Sequence, residues 1–241
     1  MKKKVVMVIA IVLVVIVVVA AVWYVTSRGK SKELPISTEQ VVGQYNVTLS
    51  FFKSGWAQIE YTDETGYHSE QYFEPQMRNG LDWVKNNVLE DATILCWWDY
   101  GHEIKGYAER SVIARNPSHE WIGMVAIART DPGAIKEFDS NERVVDVAKA
   151  LATSDFSETL QIMEKYGATH IVVYKDDLIK AGWMYKVAGL DPTDFQTQLQ
   201  NSTWVLNEAG KQTMISRLLD NRDVGVTLIY EDTAMKVYKK D

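Results

Sequence analysis

The hydrophobic pattern of the chain begins with an apolar run close to the N-terminus. The run from Val5 to Val25 carries no charge, and at about 1.5 Å per residue it is long enough to cross a hydrocarbon core about 30 Å thick. Lys2 to Lys4 precede it and favour a cytoplasmic N-terminus. We therefore predict a single-pass anchor in the cell membrane over residues 1–29, with an extracytoplasmic globular part. A cleavable signal peptide is the alternative, and it too would export the domain.

Residues 30–75 have a different pattern, which predicts a linker followed by a short β extension. Three short runs rich in β-branched and aromatic residues cover 46–52, 56–61 and 67–73. The segments between them contain Lys-Ser-Gly and Asp-Glu-Thr-Gly, which are turn signals. We expect three antiparallel strands here.

Residues 76–241 alternate between helical and strand periodicity, which indicates a mixed α/β domain. The fold class predicted for the whole chain is therefore an α/β mixed domain with a small β extension, preceded by one N-terminal transmembrane helix. Gly167 is expected to end one helix, and Asp139 and Ser140 to cap another. The predicted helices are 77–89, 141–152, 157–166, one beginning at Asp177 and 211–219; the predicted strands are 92–98, 111–114, 170–174, 225–230 and 235–238.

The charge balance limits the class of partner, and the cysteine content limits the covalent links that can stabilise the fold. The chain has 26 Lys and Arg against 32 Asp and Glu, a net charge of −6, which disfavours a nucleic-acid partner because phosphate binding needs a basic face. The single Cys96 excludes an intrachain disulfide. Its position between Leu95 and Trp97 is typical of a small buried apolar residue rather than of a reactive thiol.

The run Trp97-Trp98-Asp99-Tyr100-Gly101 is the strongest candidate for chemistry. Two neighbouring indole N–H donors followed by a carboxylate acceptor form a compact site that could bind a hydroxyl group, which both accepts and donates a hydrogen bond. The alternative is structural, with two core tryptophans at a strand end and a turn over Asp99 and Gly101.

This pentapeptide resembles the signature of the oligosaccharyltransferase catalytic subunit, which transfers a lipid-linked oligosaccharide to Asn in Asn-x-Ser/Thr sequons. A second motif of the archaeal and eukaryotic enzymes, Asp-x-x-Lys-x-x-x-Met/Ile, is matched by Asp177, Lys180 and Met184. On a helix these three positions share one face. The resemblance covers about residues 76–241 and identifies this region as similar to the C-terminal globular domain of that family.

The resemblance implies roles for these residues. The hydroxyl of the sequon would be bound by Trp97, Trp98 and Asp99, its Thr methyl group would pack on Met184, and the pocket would be completed by Tyr100, Asp177 and Lys180. It also implies that the catalytic residues and a divalent metal belong to a multi-span membrane half, so we expect neither catalysis nor a cofactor from this chain. The resemblance implies two partners, Asn-x-Ser/Thr peptides and a multi-span oligosaccharyltransferase subunit, and the apolar N-terminal run adds the membrane as a third.

Three functional hypotheses follow from the sequence. The favoured one is a membrane-anchored binding module that engages Ser/Thr-containing acceptor peptides or the transferase itself and does not catalyse transfer alone. The alternative is a split or accessory component of an active oligosaccharyltransferase. The third is a diverged relative whose pocket binds nothing.

A few further signals are weaker. Asn46 and Asn201 begin Asn-x-Thr sequons and are candidate glycosylation sites. His102-Glu103 resembles the start of a zinc-protease helix, but the required second histidine is replaced by Gly106. Arg115 lies where the resemblance implies an acidic residue.

Overall fold

The described residues form two main β-sheets with helices packed against them. The computed structural model describes residues 33–115, 142–200, 203–222 and 224–241. Its strands are β1 Ser37–Val41, β2 Val47–Phe51, β3 Ala57–Asp63, β4 Gly66–Phe73, β5 Thr93–Leu95, β6 Ser111–Val112, β7 Ala168–Tyr174, β8 Gln196–Gln198, β9 Trp204–Leu206, β10 Val226–Glu231 and β11 Met235–Lys240. Its helices are α1 Arg78–Asn87, α2 Gly101–Gly106, α3 Glu142–Ala152, α4 Phe156–Lys165, α5 Asp177–Val187 and α6 Met214–Leu219.

The predicted N-terminal anchor is not among these elements. The span predicted over residues 5–25 lies outside the described residues. No helix in the described ranges combines the length and the apolarity that a bilayer crossing requires. From Ser37 to Asp241 the chain forms one compact unit.

The β extension is an antiparallel meander of four strands in the order β1-β2-β3-β4. The three predicted strands are present, and β1 is an additional edge strand that pairs with β2 from Ser37↔Phe51 to Val41↔Val47. The sequence Ser-Thr-Glu-Gln-Val of β1 is mostly exposed and lacks apolar alternation, so its pattern gave no strand signal.

The second sheet is mixed and has the order β10-β11-β7-β5-β6. Strand β5 is parallel to both β6 and β7, whereas β11 is antiparallel to β7. The carboxyl ends of β5 and β7 therefore meet at one edge of the sheet. The two sheets share one hydrophobic core, to which Leu49 and Ile59 contribute from the meander and Ile94 and Val172 from the mixed sheet.

Most of the helices follow the predicted periodicity. Helix α4 begins after Asp155, whose side chain accepts a hydrogen bond from Ser157 N at 2.9 Å, and Gly167 follows it with a φ of 65°, as expected for a residue that ends a helix. Instead of one helix over 211–219, there is a 3₁₀ turn over Gly210–Gln212 and then α6. Thr213 separates them in an extended conformation, and its hydroxyl donates to Gly210 O at 2.7 Å.

The largest difference from prediction lies at the tryptophans. Strand β5 ends at Leu95 rather than continuing to Trp98, and a 3₁₀ turn over Trp98–Tyr100 leads directly into α2. A Cβ on Gly101 would lie 2.5 Å from Ala114 O, so the close approach of the start of α2 to the segment after β6 requires glycine at this position.

Candidate functional site

The two motifs meet at the carboxyl edge of the mixed sheet. Strand β5 pairs with β7 in parallel through Leu95↔Ile171, so the segments that follow these strands leave the sheet side by side. One segment carries Trp97 to Gly101, and the other begins helix α5 at Asp177. Clefts at the carboxyl ends of parallel strands are common ligand sites in α/β proteins.

A chain of polar contacts joins the two segments. Lys180 Nζ lies 2.7 Å from Asp99 Oδ2 and donates a hydrogen bond of 2.8 Å to the Tyr100 hydroxyl. The Tyr100 hydroxyl donates to Asp177 Oδ1 at 2.8 Å. Asp177 Oδ2 accepts from the backbone N–H of Tyr174 at 2.9 Å, which fixes the carboxylate to the end of β7. Four residues predicted from two distant motifs thus form one connected network.

The network borders a surface cavity of about 480 Å³. The Asp99 side chain is 24 % exposed and that of Lys180 is 31 % exposed, so both are accessible from solvent. The residues that line the cavity are Gln71, Tyr72, Glu74, Trp98, Asp99, Tyr100, His102, Tyr174, Asp176 and Lys180. The open part of the predicted site is therefore formed by Trp98, Asp99 and Lys180.

The remaining predicted residues lie deeper. Trp97 is 2 % exposed, and Asp177 and Met184 are completely buried. Met184 belongs to the main hydrophobic core and does not line the cavity. Tyr100 is also buried, but its ring forms part of the cavity wall.

The candidate glycosylation site at Asn46 does not line this cavity. Asn46 is exposed in the turn between β1 and β2 with a φ of 48°, and Asn201 falls outside the described residues. Thr48, the hydroxyl residue of the first sequon, has its Oγ1 hydrogen-bonded to the side chain of Gln40. These positions leave both glycosylation sites as predictions.

Burial shifts the ionisation of the carboxyl groups at the site. It raises the pKa of Asp177 to about 7, although hydrogen bonds from Tyr174 N and the Tyr100 hydroxyl oppose the shift. Burial also raises the pKa of Asp99, against the Lys180 ammonium and a hydrogen bond from Trp97. The network therefore holds a proton-sensitive carboxyl, Asp177, directly behind the accessible pair Asp99 and Lys180.

Two buried polar atoms have no hydrogen-bond partner among the described residues, and one of them belongs to a residue that lines the cavity. They are Tyr174 OH and Glu103 Oε2. Glu103 is completely buried, burial raises its pKa well above the ordinary value, and its other oxygen accepts from Glu74 N at 3.1 Å. Buried polar groups without a partner are rare in folded proteins.

The resemblance implies a divalent metal that belongs to a multi-span membrane half and not to this domain. In the ranges that the structure covers, no group of three or more His, Cys, Asp and Glu side chains is placed to hold a metal ion. His102 instead has its Nδ1 within 2.9 Å of the Tyr61 hydroxyl.

Comparison with known proteins gives matches to one family. No protein-family model matches the chain. The dolichyl-diphosphooligosaccharide–protein glycosyltransferase subunit STT3 of Dictyostelium discoideum is 25 % identical over 152 residues, 59 % of this chain and 18 % of that protein. The stt-3 subunit of Caenorhabditis elegans is 26 % identical over 130 residues, 50 % of this chain and 14 % of that protein. The chain thus matches less than a fifth of the length of these relatives.

The fold agrees with this match. The crystal structure of the C-terminal globular domain of an oligosaccharyltransferase from Archaeoglobus fulgidus superposes with a TM-score of 0.51 at 18 % identity, over 70 % of this chain and 99 % of that domain. This chain is homologous to the C-terminal globular domain of the STT3 and AglB subunits. The resemblance first suggested by the two motifs is confirmed.

Sequence reasoning missed the cavity wall contributed by the β extension and by α2. Gln71, Tyr72 and Glu74 come from the end of β4 and the residues just after it, and His102 comes from α2. No residue pattern in the chain indicates that these side chains would meet the tryptophan motif. Arg115 occupies the position at which the resemblance implies an acidic residue. Its guanidinium donates a hydrogen bond to the Asp63 carboxylate of β3 and so links the meander to the segment after β6.

Proposed function

We propose that the domain binds the hydroxyl group of Ser or Thr in Asn-x-Ser/Thr acceptor peptides at the cavity beside Asp99 and Lys180. The observation that carries the proposal is the contact between the two motifs, Asp99 with Lys180 at 2.7 Å, at the mouth of an open cavity. Homology to the C-terminal domain of oligosaccharyltransferase subunits supports the same role.

The chemistry of the pair suits a hydroxyl group. A carboxylate has about four lone-pair sites, so Asp99 can accept a hydrogen bond from a hydroxyl group in addition to the contacts from Lys180 and Trp97. The Lys180 ammonium has three N–H donors and can direct one to the hydroxyl oxygen. The indole of Trp98 lines the cavity next to both groups. A ligand without the hydroxyl would leave these desolvated groups with fewer partners, which is the basis of strong selection against it.

The buried members of the motifs act by positioning in this proposal. Asp177 holds Tyr100, and Tyr100 accepts from Lys180, so the ammonium is directed toward Asp99. Trp97 supports Asp99 from the interior. Contact between Met184 and a Thr methyl group would require helix α5 to move, because Met184 is completely buried.

Peptide titration tests the proposal. Calorimetry with Asn-Ala-Thr and Asn-Ala-Val peptides should show at least about tenfold tighter binding of the Thr peptide. Asp99→Asn should remove this difference, whereas Asp91→Asn, which removes a charge at an exposed position before β5, should retain it. Equal affinity of the wild-type domain for the two peptides would exclude sequon binding.

The second candidate function is that of a component of an active transferase. It is favoured by the identity of the relatives, which are glycosyltransferase subunits. In our proposal the transfer chemistry and its divalent metal lie in a separate multi-span membrane subunit, and the domain alone transfers no glycan. Glycan transfer in membranes that contain such a subunit, and only when this chain is also present, would support the second function over a pure binding role.

The proposal also includes a location. We place the chain in the cell membrane through residues 5–25, with the domain on the extracytoplasmic side, where acceptor peptides emerge. Protease added to intact cells should then digest the domain. Protection of the domain until the cells are lysed would contradict this orientation.

A further inference from the structure

The wall of the cavity next to the hydroxyl-binding pair carries negative charge without a matching cation. Glu74 and Asp176 line the same cavity as Asp99 and Lys180. Lys180 is paired with Asp99, while neither Glu74 nor Asp176 forms an ion pair within the part of the chain that the structure describes. The cavity therefore has an excess of carboxylates over cations.

The local contacts of Glu74 and Asp176 leave both carboxylates able to bind a cationic ligand. Glu74 Oε2 accepts from the Tyr72 hydroxyl at 2.9 Å and Oε1 accepts from Gln76 N at 3.3 Å, and both donors are neutral. Asp176 occupies the N-cap position of α5, but its side chain makes no capping hydrogen bond. The helix therefore does not need this carboxylate for its N-terminus.

A buried hydroxyl group lies beside the two carboxylates. Tyr174 is 2 % exposed and lines the cavity, yet its OH has no hydrogen-bond partner among the described side chains and backbone groups. Burial raises the pKa of this hydroxyl, and the charges of Glu74 and Asp176 and the proximity of their acceptor oxygens raise it further, so the hydroxyl lies close to both carboxylates without a well-formed hydrogen bond to either. The Tyr174 oxygen can thus accept a hydrogen bond from a ligand that also satisfies the neighbouring carboxylates.

An aromatic ring of the wall favours an organic cation over a metal ion. Tyr72, which is 47 % exposed, offers apolar ring surface next to the carboxylates, and a lysine or arginine side chain buries its alkyl stem on such a surface while its charged end reaches polar groups. Lys175, whose ammonium lies 5.9 Å from the Tyr174 ring centroid, donates to Gln76 Oε1. It does not line the cavity.

We propose that Glu74, Asp176 and Tyr174 form a subsite for a Lys or Arg side chain next to the Ser/Thr of the acceptor peptide. The inference rests on the proposed function, because it places the basic residue beside the hydroxyl-binding pair. It makes the β extension, through Glu74, a determinant of which sequons the domain prefers.

Peptides with blocked termini test the subsite, since blocking removes the α-amino group as a source of positive charge. The probes are Ac-Asn-Ala-Thr-Lys-NH₂ and Ac-Lys-Asn-Ala-Thr-NH₂, each compared with its norleucine and glutamate analogues. At one of the two flanks, lysine should bind about tenfold more tightly than norleucine, which corresponds to about 1.4 kcal/mol, and glutamate should bind more weakly than norleucine.

Matched variants separate the subsite from the general attraction of a chain with a net charge of −6. Asp176→Asn and Glu74→Gln keep the shape of each side chain and should each reduce the ratio of lysine to norleucine affinity to about threefold or less. Glu90→Gln removes one charge at an exposed position outside the cavity and should leave the ratio unchanged. Thermal unfolding of each variant verifies that it is folded.

The outcomes distinguish this inference from the function on which it rests. If the Thr peptides bind more tightly than their Val analogues but the flanking residue has no effect, the basic subsite is wrong and sequon binding stands. If Glu90→Gln lowers the lysine preference as much as Asp176→Asn, the preference comes from overall charge and the subsite is again wrong. If lysine is preferred over norleucine but the Thr and Val peptides bind with equal affinity, the subsite stands while sequon binding fails.

Discussion

Replacing Tyr100 with phenylalanine should destabilise the domain in a pH-dependent way. The Tyr100 hydroxyl is the central link of the network, because it donates to Asp177 Oδ1 at 2.8 Å and accepts from Lys180 Nζ at 2.8 Å. Its removal leaves a completely buried carboxyl oxygen without that donor. Losing a buried hydrogen bond to a charged group costs about 2–3 kcal/mol, whereas the loss of one between neutral groups costs about 1 kcal/mol.

The pH dependence follows from the pKa of Asp177, which burial raises to about 7 from its ordinary 3.8. In this situation the folded state retains a proton that the unfolded state releases, so the associated stabilisation is complete below pH 3.8 and is lost as the pH rises through 7. At pH 5 the carboxyl is mostly protonated, and the variant should lose about 1 kcal/mol of unfolding free energy. At pH 8 the carboxyl is charged, and the loss should reach about 2–3 kcal/mol.

Chemical denaturation at pH 5 and pH 8 measures the two losses, and thermal unfolding at pH 8 should show a decrease in Tm of about 5–10 °C for a domain of this size. Tyr185→Phe is the matched control, since Tyr185 is also completely buried but its hydroxyl contacts the neutral Thr213 Oγ1 at 3.3 Å. It should cost about 1 kcal/mol at both pH values. Equal losses for Tyr100→Phe at pH 5 and pH 8 would refute the charged network.

The other predictions concern packing and reactivity. Gly101→Ala should lower the unfolding free energy by about 1–3 kcal/mol, because its Cβ would lie 2.5 Å from the backbone oxygen of Ala114; Gly182→Ala is the control, since its Cβ would meet only the end of the Gln196 side chain, and denaturation should show little loss. Burial raises the pKa of the Cys96 thiol, so iodoacetamide at pH 8 should label Cys96 only after denaturation, and labelling of the native domain at the rate of the unfolded chain would contradict its buried position.

Several elements of the fold could be predicted from the chain because their signal is local. The apolar strand β7 and the amphipathic helices α1, α3 and α4 appear close to their predicted positions, since burial of one face imposes a period that the residues themselves display. Helix α2 had no such signal. It is six residues long, begins and ends with glycine, and is buried on all sides, so tertiary packing rather than helix propensity forms it.

The candidate site also has a part that could be predicted from the sequence and a part that could not. The indole pair, Asp99 and the Asp177 motif could be identified from the sequence, because the two motifs carry recognisable residue types in a fixed order. Their contact could not be identified, since the 2.7 Å approach of Lys180 to Asp99 depends on the parallel pairing of β5 with β7. The burial of Met184 also depends on which face of α5 packs against the core.

The sequence by itself determined the two motifs, the apolar N-terminal run, the acidic balance and the alternation of helix and strand, because each depends only on the composition or on the order of residues close together in the chain. The tertiary structure alone decided which motif residues face solvent and which support them, and it brought Glu74 and Tyr72 from the β extension to the cavity beside Trp98. The physical reason is that accessibility and charge pairing depend on contacts between segments far apart in the chain, which local residue patterns do not encode.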